Sequence, residues 1–336
     1  MPHPAFRSAA ILGTGSFGTA MAKLLEKKLE RITLIGRDHQ LVDCINREHR
    51  NPSYLTDISL MPHVRASTRL SDVCNHQLIM FAVPTSATRE TAKRLSAENL
   101  THDVTLLSCA KGIEKDSGER MSQILREFFP HHALAALSGP NHAEEIAAGM
   151  ATCAVIGSED HAVAERLQEL FTLDHFRSYT SDDVAGIELG GAVKNVYAIA
   201  AGMAHGLSLG DNAVAALVTR ALAEMTRLGV ALGGRAETFN GLSGVGDLMV
   251  TCFSEHSRNH RVGLALGQGK SLDEAVSMLG MVAEGVPNTL SIHDAARRIG
   301  VRTPIIDAVF AIIYQNKPVS LAMRELLTRD PRREDS

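Results

Sequence analysis

In the first half of the chain, short runs of apolar residues alternate with longer segments that mix polar and apolar positions. The runs lack the strict alternation of a strand with one wet face, so they predict strands buried on both faces. The segments between them, such as 17–28 and 120–128, predict helices. This order is typical of a doubly wound parallel sheet, which binds ligands at the carboxyl ends of its strands. The predicted strands are 8–12, 31–35, 78–83, 104–108, 133–137, 152–156 and 176–179.

The pattern changes at about residue 184, where strand-like runs nearly vanish and helical periodicity takes over. Ser271 and Glu274 form a capping-box pattern, and Gly229 is placed to end a long helix. We therefore predict an α/β Rossmann-type domain over 1–184, an all-α domain over 185–330 and a polar tail over 331–336. The face of the helix before Gly229 contains Val214, Leu217, Val218, Ala221, Met225 and Leu228.

Composition excludes several classes of protein. The 336 residues carry 34 Lys and Arg against 38 Asp and Glu, so the chain lacks the basic excess of a nucleic-acid-binding protein. No apolar stretch reaches the length of about 18 residues that a membrane helix needs, and the start lacks a signal-peptide layout. We therefore expect a cytoplasmic protein without integral membrane association. The five cysteines are scattered and no zinc-binding spacing occurs, so we expect no metal site.

A glycine-rich segment follows the first predicted strand. Gly13, Gly15 and Gly18 match the G-x-G-x-x-G pattern between a strand and a helix. The first glycine permits a tight turn, the second lets the backbone approach a pyrophosphate, and the third lets the helix pack on the strand. The segment therefore predicts a dinucleotide-binding loop.

The end of the second predicted strand bears on the choice of dinucleotide. Arg37 stands where an NAD-binding chain usually has an acid, and a guanidinium suits a 2′-phosphate. This favours NADP(H). Asp38 follows directly, so NAD(H) stays possible, and the alternative for Arg37 is a solvated surface charge.

A lysine interrupts the small, apolar segment 187–206, which otherwise looks like a buried helix. Lys194 and Asn195 lie in its middle. A buried lysine must be paired or line a cleft, because an unpaired buried ammonium is costly. Burial also lowers the pKa of a lysine, which suits proton transfer near neutral pH. We interpret Lys194 as functional, the alternative being a side chain that reaches solvent.

Other polar groups follow predicted strands or glycine-rich loops. Lys111 and Gly139 come directly after strands and should face the ligand cleft. Asn141 with Glu144 suggests an anion-attracting helix start, or a simple N-cap. The loop 241–247 ends in the Asp247 carboxylate. The next polar residues along the chain are Ser257, Arg258 and Asn259, and together they predict an anion site. The alternative for Arg258 is a surface salt bridge.

Seven motifs occur in order and are more specific together than the glycine loop alone. They are GTGSFGTA, CAKGIE, SGPNHAEE, LGGAVKNVYAIAAG, GLSGVGDLMVTC, SRNHR and VAEG. With them the chain resembles the bacterial type of NAD(P)-dependent glycerol-3-phosphate dehydrogenase over about residues 8–328. The resemblance implies an active site between a Rossmann domain and a helical domain. It also implies reversible reduction of dihydroxyacetone phosphate to sn-glycerol 3-phosphate for phospholipid synthesis, by a homodimer.

The resemblance assigns roles to individual residues. Lys194 corresponds to the catalytic proton-transfer lysine, with Lys111 and Asp247 assisting. Besides the glycines, the implied cofactor contacts are Ser16, Phe17, Arg37, Lys111, Ala143, Arg258, Val282 and Glu284. The implied substrate contacts are Lys111, Gly139, Asn141, Lys194, Asp247, Ser257, Arg258 and Asn259. The family often has Ser or Thr at the position of Asn141, and another residue can replace His142, so hydrogen bonds there are expected to differ.

Two other functions share part of this pattern. A dehydrogenase acting on a hydroxy-acid carboxylate would have the same glycine loop and a helical partner domain. A cofactor-binding sensor would keep the glycines but would not need Lys111, Lys194, Asp247 and Arg258 together.

Overall fold

A single sheet organises the first half of the chain. The computed structural model describes residues 6–279 and 283–328. In the described part the strands follow the order β3-β2-β1-β4-β5-β6-β7-β8 across the sheet. Their bounds are β1 (Ser8–Leu12), β2 (Arg31–Ile35), β3 (Val64–Ser67), β4 (Leu78–Phe81), β5 (Thr105–Ser108), β6 (Ala133–Ser138), β7 (Thr152–Gly157) and β8 (Phe176–Ser181).

The structure confirms the Rossmann-type sheet and corrects it in two places. Strand β3 was not predicted, because its four residues VRAS alternate buried and more exposed positions and lack an apolar run. Strand β7 pairs antiparallel with β6, whereas the strands from β3 to β6 pair in parallel. The apolar pattern predicts burial of a strand but carries no information on its direction.

Helices cover both faces of this sheet. Alternate residues of β1 point to opposite faces, so Ala9 and Ile11 join one apolar cluster while Ala10 and Leu12 join the other. The helices of this half are α1 (Ser16–Leu25), α2 (His39–Glu48), α3 (Thr88–Leu95), α4 (Met121–Phe128), α5 (Ala143–Ala147) and α6 (His161–Phe171).

The second half is helical, as predicted, and begins at Val184 directly after the last strand. None of the helices within the described ranges combines the length and the apolar character needed to cross a membrane. The helices are α7 (Val184–Gly206), α8 (Asp211–Ala231), α9 (Ala236–Phe239), α10 (Asp247–Phe253), α11 (Arg258–Gly267), α12 (Leu272–Ser277), α13 (Gly285–Arg298), α14 (Pro304–Gln315) and α15 (Val319–Leu327).

Gly229 does not end α8, contrary to the sequence prediction. The helix continues to Ala231, and Gly229 lies within it. A Cβ atom at this position would lie 2.0 Å from the ring of Phe239. The glycine therefore makes room for an aromatic side chain and has no role in termination. The capping box of Ser271 and Glu274 is confirmed at the start of α12.

Helix α7 is the central helix of the second half and packs at very short range against α11. A Cβ atom at Gly202 would lie 2.1 Å from the carbonyl oxygen of His260 on α11. One at Gly263 would lie 2.0 Å from the carbonyl oxygen of Ile199 on α7. The two backbones therefore touch directly, which fixes the position of α7 and of the side chains that it carries.

A buried carboxylate joins α7 to the sheet domain. Glu188 accepts hydrogen bonds from the Arg120 guanidinium at 2.7 Å and from the backbone N–H of Ser122 at 2.8 Å. Ser122 lies in the first turn of α4, so Glu188 caps that helix from the other half of the chain. This contact helps to set the relative position of the two halves.

We expect Gly263→Ala to lower the free energy of unfolding by about 1–3 kcal/mol, because the added methyl group meets a backbone carbonyl that cannot rotate away. The better helix propensity of alanine does not offset this overpacking. Gly246→Ala is the control, since a Cβ there has its nearest neighbour at 3.6 Å. Urea unfolding compares the variants, and equal stability of Gly263→Ala and the wild type would contradict the short-range packing.

Candidate active site

The candidate site lies where the carboxyl ends of β5 and β6 meet α7 and α10. Lys111 follows β5, and Gly139 follows β6. Lys194 comes from the middle of α7, and Asp247 is the first residue of α10. Four of the predicted residues, two from each half of the chain, are thus brought together at one place.

One carboxylate binds two lysines. The Nζ atom of Lys194 donates to Oδ1 of Asp247 and, at 2.8 Å, to the hydroxyl of Thr251. The Nζ atom of Lys111 donates to Oδ2 of Asp247 at 2.9 Å. It also donates to Oδ1 of Asn141 at 2.6 Å and to the carbonyl oxygen of Gly139 at 2.9 Å. Each carboxylate oxygen of Asp247 therefore accepts a hydrogen bond from one lysine ammonium group.

Burial tunes the acidity of this cluster. Lys194 is 4% exposed and Asp247 is 1% exposed. Desolvation lowers the pKa of Lys194 to about 7; the Asp247 carboxylate opposes this shift, and the Lys111 ammonium adds to it. Lys194 is therefore poised to exchange a proton near neutral pH.

The loop after β6 adds polar atoms beside the lysines. Burial, with the charges of Lys194 and Lys111, lowers the pKa of His142 to about 4, so its imidazole is neutral at pH 7. At the end of β6 and in this loop, three buried side-chain atoms have no partner among the described residues: Oγ of Ser138, Nδ2 of Asn141 and Nε2 of His142. Buried polar atoms are rarely left unpaired, so such a group is suited to a ligand.

Asn141 does not cap α5. The N-cap residue is His142, and the side-chain oxygen of Asn141 accepts from Lys111 instead. The sequence left open an anion-attracting helix start or a simple N-cap; the structure contradicts both, because both make Asn141 the cap of α5, and it places Asn141 beside Lys111 instead. Ala143 is buried as the first residue of α5, which packs against α1.

The predicted anion site lies at the start of α11. The Ser257 hydroxyl accepts from the backbone N–H of His260 at 3.2 Å and so caps the helix. Arg258 is the first residue of the helix. The Asn259 amide binds other protein groups, accepting from the N–H of Gly285 at 2.8 Å and donating to Oδ1 of Asn195 at 2.9 Å. Helix α11 has ten residues and directs the positive end of its dipole towards this point.

Glu284 connects the start of α13 to the sheet domain. Its carboxylate accepts from the N–H of Thr85 at 3.0 Å and from the hydroxyl of Thr85 at 2.6 Å. Burial raises the pKa of Glu284, against the effect of Thr85 and of the Arg258 charge. Val282, the other predicted cofactor contact in this segment, lies outside the described residues.

The glycine loop has the geometry of a pyrophosphate-binding turn. Gly13 has a φ of +119°, and a Cβ there would lie 2.5 Å from the carbonyl oxygen of Ala82. A Cβ at Gly18 would lie 2.1 Å from the carbonyl oxygen of Gly13. In contrast, a Cβ at Gly15 would meet no described atom within 4 Å. Gly15 is also the N-cap of α1 and provides no side-chain acceptor, so the N–H groups of Ser16 and Phe17 remain available to a phosphate.

Two charged residues follow the end of β2: Arg37, and Asp38, whose carboxylate caps a helix. Arg37 is exposed. Oδ1 of Asp38 accepts from the N–H groups of Gln40 and Leu41, at 2.9 and 3.2 Å, and so caps α2. The Asp38 carboxylate is therefore partly engaged by the protein, whereas Arg37 is exposed and follows Gly36, which lies close to Thr14 of the glycine loop.

Models of a known protein family match both halves of the chain. The model described as the N-terminus of NAD-dependent glycerol-3-phosphate dehydrogenase matches residues 8–164, and the C-terminal model matches residues 183–324. The chain belongs to the NAD-dependent glycerol-3-phosphate dehydrogenase family. This membership agrees with the resemblance inferred from the seven motifs.

Individual members of the glycerol-3-phosphate dehydrogenase family are similar over nearly their whole length. A glycerol-3-phosphate dehydrogenase (NAD(P)+) from Syntrophotalea carbinolica is 43% identical over 322 residues, which are 95% of this chain and 97% of that protein. One from Clostridium perfringens is 40% identical over 97% of this chain and 98% of its own. The crystal structure of glycerol-3-phosphate dehydrogenase from Coxiella burnetii has a TM-score of 0.93 and 35% identity, covering 97% of this chain and all of that one.

Some residues of this glycerol-3-phosphate dehydrogenase site were not predicted. Thr251 lies one helical turn after Asp247, so the spacing in sequence could have identified it. Thr85 and Asn288 contact the site from distant segments and leave no local signal in the sequence.

Among the described residues, no three potential ligands of the His, Cys, Asp or Glu type are grouped to hold a metal ion.

We expect Gly15→Ala to keep the stability of the wild type but to weaken dinucleotide binding by about 10-fold or more, because the methyl group occupies space left for the pyrophosphate. Gly18→Ala is the contrasting variant, since its methyl group meets the backbone of Gly13 and should lower the melting temperature. Thermal unfolding and titration with NADPH separate the two effects. Wild-type affinity of Gly15→Ala would contradict the assignment of the loop.

Proposed function

We propose that the protein catalyses the reversible reduction of dihydroxyacetone phosphate to sn-glycerol 3-phosphate with a reduced nicotinamide dinucleotide. The observation that carries this proposal is the buried cluster in which Asp247 holds Lys194 and Lys111, in a chain of the glycerol-3-phosphate dehydrogenase family. The product is a precursor of glycerophospholipids, so the proposed role is in phospholipid synthesis.

Reduction of a ketone creates negative charge on the carbonyl oxygen, and the residues of the cluster can stabilise that charge and supply a proton. The bound dinucleotide supplies the hydride. Lys194 delivers the proton to the oxygen, since burial keeps its pKa near 7. Lys111 adds positive charge that stabilises the transition state. Asp247 orients both ammonium groups, and in the reverse direction Lys194 accepts the proton.

The substrate phosphate requires a cationic anchor away from the reacting carbon. Arg258, at the start of α11, offers a guanidinium at a point where the helix dipole also favours an anion. Ser257 and Asn259 hold this helix start in place, and Gly139 and Asn141 line the reacting end beside Lys111. Anchoring a remote group supplies orientation for the reaction.

The dinucleotide would lie across the carboxyl ends of β1 and β4, with its pyrophosphate on the glycine loop. We propose NADP(H) as the preferred form because Arg37 can bind a 2′-phosphate while Asp38 is engaged as a helix cap. NAD(H) stays possible. The residues proposed to hold the cofactor are Gly13, Gly15, Ser16, Phe17, Gly18, Arg37, Lys111, Ala143, Arg258, Val282 and Glu284.

A homodimer and a cytoplasmic location stay predictions. Neither follows from the contacts within one chain. The mass of the purified protein in solution, measured by light scattering, decides the first of them.

The deciding experiment follows the absorbance of NADPH and of NADH side by side after dihydroxyacetone phosphate is added. We expect loss of absorbance that requires the phosphorylated ketone and is faster with NADPH. Arg37→Ala should reduce the preference for NADPH because the 2′-phosphate loses its partner. Turnover of carboxylate ketones alone would favour a hydroxy-acid dehydrogenase, and dinucleotide binding without turnover would favour a sensor.

The proton transfer by Lys194 predicts opposite pH dependences in the two directions. In reduction the lysine must be protonated, so kcat/KM should fall as pH rises above about 7. In oxidation the lysine must be neutral, so kcat/KM should rise with pH through the same region. Lys194→Ala should lower turnover by roughly 100-fold or more and remove this dependence. If kcat/KM changed with pH in the same sense in both directions, or if Lys194→Ala kept near-normal turnover, Lys194 would not be the residue that transfers the proton.

A further inference from the structure

We propose that Asn288 is a positioning residue for Lys111, acting through the backbone of the lysine. The Nδ2 atom of Asn288, on α13, donates to the carbonyl oxygen of Lys111 at 2.9 Å. Asn288 is 2% exposed, and no role follows for it from the sequence motifs. The kinetic consequence of this proposal rests on the proposed function.

A second amide binds the same carbonyl oxygen. The Nδ2 atom of Asn195, on α7, donates to it at 3.1 Å. A carbonyl oxygen has two lone pairs, so the two amides use its full capacity. The backbone of Lys111 is therefore held from the helical half, while its ammonium group is held by Asp247, Asn141 and Gly139.

The hydrogen bonds form a closed circuit that begins and ends on α13. The N–H of Gly285 donates to Oδ1 of Asn259, and Nδ2 of Asn259 donates to Oδ1 of Asn195. Asn195 then donates to Lys111, where Asn288 of α13 also donates. An N–H can only donate and a carbonyl can only accept, so the two ends fix the orientation of Asn259 and Asn195. The circuit leaves one arrangement of these amides.

Gly112 provides the space for this contact. A Cβ at Gly112 would lie 2.6 Å from Oδ1 of Asn288 and 2.4 Å from the hydroxyl of Thr85. The missing side chain lets α13 reach the backbone beside it. Glu284 binds Thr85 one helical turn before Asn288, so α13 contacts the sheet domain at two adjacent points.

Loss of the Asn288 amide leaves the Lys111 carbonyl with the longer hydrogen bond to Asn195 alone, so the backbone, and with it the ammonium group, can shift. Misplacing a catalytic group by about 1 Å can cost about 100-fold in rate. Lys111 is proposed to contact the substrate throughout, but its charge acts most strongly on the negative oxygen of the transition state, so the loss should fall more on kcat than on KM. A purely structural role would instead lower the amount of folded enzyme.

We expect Asn288→Ala to lower kcat about 10- to 100-fold, with KM for dihydroxyacetone phosphate changed less than about 3-fold. Ser291→Ala is the matched control, because Ser291 is equally buried on α13 and its hydroxyl donates to Pro287 of the same helix. This control should retain wild-type kinetics. If Asn288→Ala does not fold, Asn288→Asp replaces it in the test, because this variant keeps the size of the side chain but loses the N–H donor.

A double variant tests whether Asn288 acts through Lys111. In a Lys111→Ala background, adding Asn288→Ala should cause no further loss, because the group that it positions is already absent. If the losses multiply instead, Asn288 acts elsewhere and the proposal is wrong. Unchanged kcat in the single variant would overturn it equally.

A measurement on the ligand-free protein separates this proposal from the proposed function. The Lys111 ammonium helps to lower the pKa of Lys194. The other groups beside Lys194 are Asp247, Thr251, His142 and the thiol of Cys252. NMR of ¹⁵N-lysine-labelled protein, with the signal assigned from Lys194→Ala, reports that pKa directly. We expect it to rise in Asn288→Ala and to stay at the wild-type value in Ser291→Ala. An unchanged pKa in Asn288→Ala would overturn the proposal even if no ketone is reduced.

Discussion

The site depends on one carboxylate. Asp247 is almost completely buried and binds the ammonium groups of Lys194 and Lys111, one on each oxygen. Two lysines this close would repel each other without a shared counter-ion, and a lone buried carboxylate would be equally costly. The carboxylate therefore makes it possible to concentrate positive charge where a carbonyl oxygen must become negative. It also joins the halves of the chain, since Lys111 belongs to the sheet domain and Asp247 to the helical domain.

Polar contacts continue this connection beyond the lysines. Glu188 caps α4 from α7, and Glu284 binds Thr85 from the start of α13. Glu188 is buried and Glu284 is partly buried, and each accepts two or more hydrogen bonds, which offsets the cost of removing the carboxylates from water. The junction between the halves is therefore directional, and it defines the geometry of the cleft more closely than apolar packing alone would.

The predictable parts of the structure are those that depend on short, continuous segments of the sequence. The glycine loop, the change from strands to helices at about residue 184, and the three charged residues of the cluster each lie in a recognisable motif. Strand β3 was missed because it is short and half polar, and the reversed direction of β7 because burial does not encode direction. Asn288 was missed for a different reason, since it is separated from Lys111 by 177 residues. Contacts of that kind arise only when the chain has folded.

The glycine contact between α7 and α11 has a consequence for how the protein can change over time. Lys194 lies on α7, and Arg258 begins α11, so the backbone contact makes the proposed proton donor and the proposed phosphate anchor parts of one rigid unit. Arg37 lies on the opposite domain, on the loop after β2. The residue proposed to choose between NADPH and NADH therefore lies outside this rigid unit. If the proposed roles hold, substitutions near Arg37 can change the choice of electron donor while the spacing between the proposed proton donor and the proposed phosphate anchor is inherited unchanged.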